Sequence, residues 1–136
     1  MAVALYLDTS AVLRATLETG TTPEVEGLMA SSRILLTSRL SLVECARALI
    51  RARELHRVSE KDLADVQSEL DSLWSRCEIC ELTESVCELA SHVAPGKALR
   101  TLDALHLATF LTARRRIEGL ELLTVDRHLK EAAGTV

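Results

Sequence analysis

The chain has 136 residues, 48% of them hydrophobic, and a formal net charge of -4 at pH 7. That length supports one domain with a real core, without a disulfide or structural metal, and no apolar run approaches the ~20 residues of a membrane span, so the sequence reads as a soluble protein. An acidic balance argues against a nonspecific nucleic-acid coat protein, which draws its affinity from basic surface. It does not argue against a nuclease with acids in a pocket and arginine around it, and all but three of the 16 basic residues are arginine.

The first element is an apolar run, Ala2 to Leu7, which reads as a strand ended by Asp8. No basic leader precedes it, so it is not read as a signal peptide, and the compartment expected is cytoplasmic. A helix over Ser10 to Thr19 follows. Thr22 and Pro23 then supply a cap and an N1 proline for a helix over Glu24 to Ser31. Arg33 to Thr37 reads as the second strand. Two helices come next, Arg39 to His56 and Lys61 to Trp74, the latter capped by Ser59 and carrying Leu63, Val66, Leu70 and Leu73 or Trp74 at helical spacing. This pair is expected to project as a helical hairpin, with Leu49, Leu55 and Trp74 as candidates for exposure to a partner. A third strand is expected over Glu78 to Leu82, and a helix over Glu84 to Val93. The turn Ala94-Pro-Gly-Lys97 leads to a helix over Leu102 to Arg116, a last strand over Leu120 to Val125 and a short helix over Arg127 to Ala132.

Strands separated by helices imply right-handed crossovers and a parallel sheet covered on both faces. The expected class is α/β, one domain over residues 1–136. Cys77 and Cys80 are spaced like a redox or zinc pair, but Cys80 falls in an expected strand, so the two thiols need not point together, and all four cysteines are read as reduced and the pair as small buried hydrophobes.

Four acids stand out from this frame. Asp8 and Asp126 each follow a strand, and ligands of open parallel sheets bind beyond the carboxyl ends of strands. Glu44 and Asp103 come early in helices, Glu44 among Leu42, Val43, Ala46 and Leu49. Asp103 lies in a segment, 102–111, where only it and His106 are ionisable. Taken singly, each acid has an ordinary explanation as a cap, a turn residue or a complement to a helix dipole. Together they form a set whose mutual repulsion a hard cation relieves, and all-oxygen ligands select Mg2+ or Mn2+ over zinc. Such an ion activates water and stabilises charge on a phosphoryl group, the chemistry of phosphodiester hydrolysis. Ser10 and Thr124, each two residues from an acid, can hold water at the ion or orient a carboxylate. Ser10 also suits the start of a helix.

Four segments carry a family resemblance: Leu7-Asp-Thr-Ser-Ala-Val-Leu13, Ser38-Arg-Leu-Ser-Leu-Val-Glu-Cys-Ala-Arg47, Arg100-Thr-Leu-Asp-Ala-Leu-His-Leu-Ala108 and Leu123-Thr-Val-Asp-Arg-His-Leu129. In these the chain resembles PIN-domain proteins, and among them the VapC-type toxins of bacterial toxin-antitoxin pairs. The resemblance implies a PIN fold, endoribonuclease activity with Mg2+ or Mn2+, the toxin role in a type II system, a homodimer and a cognate antitoxin that blocks the site. It maps the acidic catalytic and metal ligands onto Asp8, Glu44, Asp103 and Asp126, and the hydroxyl positions onto Ser10 and Thr124. Little sequence follows the last helix, so the parallel sheet is expected to have four to five strands. Arg47, Arg51 and Arg100 are candidates for phosphate contact, and His106 and His128 read as packed or surface side chains. Two other classes compete. A phosphoacceptor receiver needs a lysine at the end of a late strand, whereas Lys61, Lys97 and Lys130 fall in helices and turns. An inactive PIN-like binding module would act only through a partner, and its intact set of acids speaks against it.

Overall fold

The protein is described by a computed structural model that covers residues 4–136. Ala2 and Val3, the start of the expected first strand, lie outside the described residues. Strands β1 (Ala4–Leu7), β2 (Ile34–Ser38), β3 (Cys77–Cys80) and β4 (Glu121–Leu123) form one sheet in the order β3-β2-β1-β4, and every neighbouring pair is parallel. Helices α1 (Thr9–Ala15), α2 (Pro23–Ser31), α3 (Arg39–Glu54), α4 (Glu60–Arg76), α5 (Glu84–Ala90), α6 (Thr101–Arg114) and α7 (Arg127–Ala133) make the connections.

Side chains of a strand alternate between faces, and this period of two divides the interior into two cores. Leu5, Leu7 and Leu35 face Ala11 and Val12 of α1, Met29 of α2, Cys45 and Leu49 of α3, and Leu63, Val66 and Leu70 of α4. Ala4, Tyr6 and Leu36 face the other way, against Leu107 and Phe110 of α6 and Leu129 and Ala132 of α7. Both faces of β1 are thus covered, which is why all four of its residues are buried. Cys77 joins the first core and Cys80 the second, so the two thiols point to opposite faces, and all four cysteines are free.

Several boundaries differ from the sequence expectation for identifiable reasons. Helix α1 stops at Ala15 rather than Thr19, because Thr16 turns its hydroxyl back on the Val12 carbonyl and Gly20 takes a left-handed φ of 84°. Thr22 makes no cap for α2; its hydroxyl accepts instead from the Arg14 guanidinium. Helix α5 ends at Ala90, where Ser91 bonds back to Cys87, and Ala94 has a φ of 46°. Of the three residues expected to be exposed on the α3–α4 pair, only Leu55 is. Leu49 is core and Trp74 packs against it, because the seam between α3 and α4 is continuous with the first core.

Candidate active site

The site lies along the carboxyl ends of β1 and β4, where four segments meet. Asp8 leaves β1 and caps α1, accepting from the Ala11 amide at 3.0 Å. Its side chain is 3% exposed, and burial pushes its carboxyl above the usual aspartate range, against the pull of hydrogen bonds from Thr124, the Ala11 amide and Ser10. Those hydroxyls are fixed from the far side. Ser10 Oγ lies 2.8 and 2.9 Å from the two Asp8 oxygens and accepts from the Val125 amide at 3.1 Å. Thr124 Oγ1 donates to Asp8 Oδ2 at 2.7 Å and accepts from the Asp126 amide at 3.0 Å. Each hydroxyl therefore stitches the end of β4 to Asp8. The stitch also explains why β4 ends at Leu123 instead of Val125: the Val125 amide turns to Ser10 and leaves the ladder.

Asp126 caps α7, accepting from the Leu129 amide at 3.0 Å through Oδ1. Glu44, in the second turn of α3, is held by Oε1 alone: Thr9 Oγ1 donates at 2.6 Å and His106 Nε2 lies at 2.9 Å. Partial burial alone would raise the Glu44 carboxyl, but the bonds from His106 and Thr9 outweigh it and hold the group below the usual glutamate range. Asp103, in the first turn of α6, has no hydrogen bond to any described residue. Desolvation raises its carboxyl, and the charges of Asp126, Asp8 and Glu44 raise it further, while His106 partly offsets them.

Glu44, Asp103 and Asp126 line a cleft of about 690 Å3, with Arg100 and His128 at its rim. Asp8 does not line the cleft but its charge acts on Asp103. A smaller depression of about 450 Å3 at the tip of the α3–α4 pair, around Arg53, His56 and Arg57, has no such concentration of acids and no residue from the strand ends. Of the four acids named from the sequence, three line this cleft, while Asp8 lies buried beside it with Ser10 and Thr124 against its carboxylate. Three hydroxyl and ring partners were not singled out: Thr9, Ser41 and Tyr6. Thr9 directly follows Asp8, a spacing that in hindsight marks it, whereas Ser41 and Tyr6 are visible only once β1, α3 and α6 are packed together. His106 proves buried, 2% exposed, as read from the sequence, but it is bonded to Glu44 rather than merely packed.

The donor set suits a hard divalent cation: it is all carboxylate and hydroxyl oxygen, and Asp103 carries uncompensated repulsion. Among the described residues no three acidic, histidine or cysteine side chains already converge to chelate a bare ion.

The PIN domain family model matches residues 5–135. Ribonuclease VapC45 of Mycobacterium tuberculosis is 35% identical over 130 residues, covering 95% of this chain and 88% of the relative. Among solved structures, FitAcB from Neisseria gonorrhoeae superposes with a TM-score of 0.70 at 17% identity over 96% of this chain and 93% of its own. Mycobacterium tuberculosis VapC20, described as a sarcin-ricin loop cleaving toxin, superposes with a TM-score of 0.64 at 20% identity over 95% of both chains. With a parallel four-stranded sheet flanked by helices, as expected, and a family match that spans nearly the whole chain, the chain belongs to the PIN-domain family, and within it to the VapC ribonucleases.

Proposed function

We propose that this protein is a Mg2+- or Mn2+-dependent endoribonuclease and the toxin of a type II toxin-antitoxin pair. The observation that carries the reading is the gathering of Glu44, Asp103 and Asp126 along one cleft, with Asp8 buried beside it and, among the described residues, no lysine or arginine ion-paired to any of the four. Those four residues would hold the ion, with Ser10 and Thr124 orienting Asp8. A bound divalent ion supplies activation of water and stabilisation of charge on the phosphoryl group under attack. The chain's own residues do the rest. Asp8, fixed by three donors, Ser10, Thr124 and the Ala11 amide, sets a buried negative charge beside the cleft that cannot swing away. Glu44, held ionised through Oε1, keeps Oε2 outside its bonding network. Arg100, at the rim and without an ion pair, is placed to receive a phosphate of the RNA chain.

The relatives support the biological role. Ribonuclease VapC45 shares more than a third of its aligned residues, and structures of similar fold include a toxin-antitoxin complex from Klebsiella pneumoniae. The partners proposed are therefore an RNA substrate, a cognate antitoxin that covers the cleft, and a second copy of the chain as homodimer. Among the described residues no helix is long and apolar enough to cross a membrane, and we place the protein in the cytoplasm, where its RNA would be. Incubating defined RNAs with the purified chain, with Mg2+ or Mn2+ and with a chelator, tests the reading. Internal cleavage restored by metal and abolished in Asp103→Asn is the expected result. Intact RNA under every condition, with antitoxin binding retained, would favour the inactive binding module instead.

A further inference from the structure

A buried chain of hydrogen bonds ends on Glu44. Tyr6, fully buried in β1, has its hydroxyl 2.9 Å from His106 Nδ1, and the two rings meet edge to face. His106 Nε2 lies 2.9 Å from Glu44 Oε1 and 3.1 Å from Thr9 Oγ1. Thr9 Oγ1 in turn donates to the same Glu44 oxygen at 2.6 Å and approaches Ser41 Oγ at 3.4 Å, and Ser41 accepts from Thr37, whose residue is fully buried in β2. None of these groups lines the cleft, yet all of them converge on a side chain that does.

The carboxylate fixes which ring nitrogen must carry a hydrogen. His106 Nε2 faces Glu44 Oε1 on one side and, on the other, a threonine oxygen that gives its own hydrogen to the same carboxylate and offers only lone pairs, so Nε2 is the donor. A bare lone pair at Nε2 would meet lone pairs on both neighbours in a region almost closed to water, which is costly. The Tyr6 hydroxyl holds the other side of the ring at Nδ1.

We propose that His106 is a positioning residue for the reaction: with Tyr6 and Thr9 it locks Glu44 Oε1, so that Glu44 presents its other oxygen to the cleft in one orientation. The inference rests on the reading of the cleft as a metal site. Glutamate has three side-chain torsions, and without this lock it would spread its carboxylate over several positions. Partners of this kind, which orient a ligand without touching the ion, are commonly worth 10- to 100-fold in metal affinity.

The test is Mn2+ affinity, measured by direct titration on metal-free protein, beside the melting temperature of the same metal-free samples. His106→Leu removes the donor to Glu44 at little change in volume and is expected to weaken Mn2+ binding about tenfold or more. His106→Gln, which can reach Glu44 with an amide N–H, is expected to recover most of that loss, a rescue that a purely space-filling role would not produce. Tyr6→Phe removes the hydroxyl that holds the ring at Nδ1, and a several-fold loss of Mn2+ affinity is expected with the melting temperature of the metal-free protein recorded beside it. If His106→Leu does not fold, Tyr6→Phe and Thr9→Val take its place, with several-fold weaker Mn2+ binding expected from each. Wild-type Mn2+ affinity in a folded His106→Leu, or in both of those substitutes, overturns the positioning role while leaving the metal site standing. Wild-type protein that binds no Mn2+ overturns the metal site and the positioning role together.

Discussion

Replacing Asp103 by Asn should make the metal-free protein more stable and the metal-loaded protein inactive. Asp103 carries no hydrogen bond to a described residue, so the amide forfeits no bond seen in the fold. What it removes is a charge that desolvation and the carboxylates of Asp126, Asp8 and Glu44 disfavour. An acid whose folded pKa lies above its unfolded value contributes stability below the unfolded pKa and loses it as pH rises through the folded one; at pH 7 the ionised Asp103 is therefore a net cost. Interactions between partly exposed charges are worth about 0.2–1 kcal/mol each. Three repulsive neighbours less the offset from His106 then amount to about 1 kcal/mol, or about 4 °C in melting temperature for a domain of this size. At a Mn2+ concentration 100 times its dissociation constant the wild type gains about 2.7 kcal/mol by mass action, whereas a variant with tenfold weaker binding gains about 1.4 kcal/mol. Thermal unfolding at pH 7 with and without Mn2+, alongside RNA cleavage, reads all three quantities. An Asp103→Asn variant that melts lower, responds to Mn2+ like the wild type and still cuts RNA would refute the reasoning.

Asp8→Asn should behave oppositely in the metal-free state: it disturbs the α1 cap and the bonds from Ser10 and Thr124, so a loss of about 1 kcal/mol is expected in denaturant unfolding, together with loss of cleavage. Burial raises both Asp8 and Asp103, and neighbouring carboxylates raise Asp103 further, so the metal-free wild type should gain stability as pH falls from neutral toward 5, and Asp103→Asn should flatten that gain in a pH series of melts. Arg100→Ala should raise KM for RNA several-fold, lower the slope of log affinity against log salt by about 1, and leave the melting temperature almost unchanged. Leu49→Ala should cost about 2–4 kcal/mol as a core truncation, whereas Leu55→Glu should stay within about 0.5 kcal/mol of wild type and be the one of the pair to weaken antitoxin capture in a pull-down.

The elements with a strong period were legible before any coordinates. Helix α4 shows its stripe of Leu63, Val66, Leu70 and Leu73 at helical spacing, and all four are buried. Three of the proposed acids, Asp8, Asp103 and Asp126, fall where helices start, a placement that the capping pattern of the sequence made legible. What the sequence concealed was conditional on packing. Strand β4 is shortened by a side chain 115 residues away, since Ser10 claims the Val125 amide, and no local pattern announces that. Thr22 looks like a cap and is diverted by Arg14. His106, Tyr6 and Thr9 come from α6, β1 and α1, and their common target becomes visible only when the two faces of the sheet are assembled around Glu44. Asp8 and Asp126 each cap a helix, so the ordinary reading holds for both, and it leaves room for the proposed one, since Asp126 also lines the cleft and Asp8 lies buried beside it.

The central claim is that one cluster of carboxylates binds the divalent ion on which RNA cleavage depends. Anomalous scattering from crystals equilibrated with Mn2+ tests it most directly. The account predicts anomalous density bounded by Asp8, Glu44, Asp103 and Asp126, and none there in crystals of Asp103→Asn at the same Mn2+ concentration. Density elsewhere on the molecule with this cleft left empty, in protein that cleaves RNA, would contradict it.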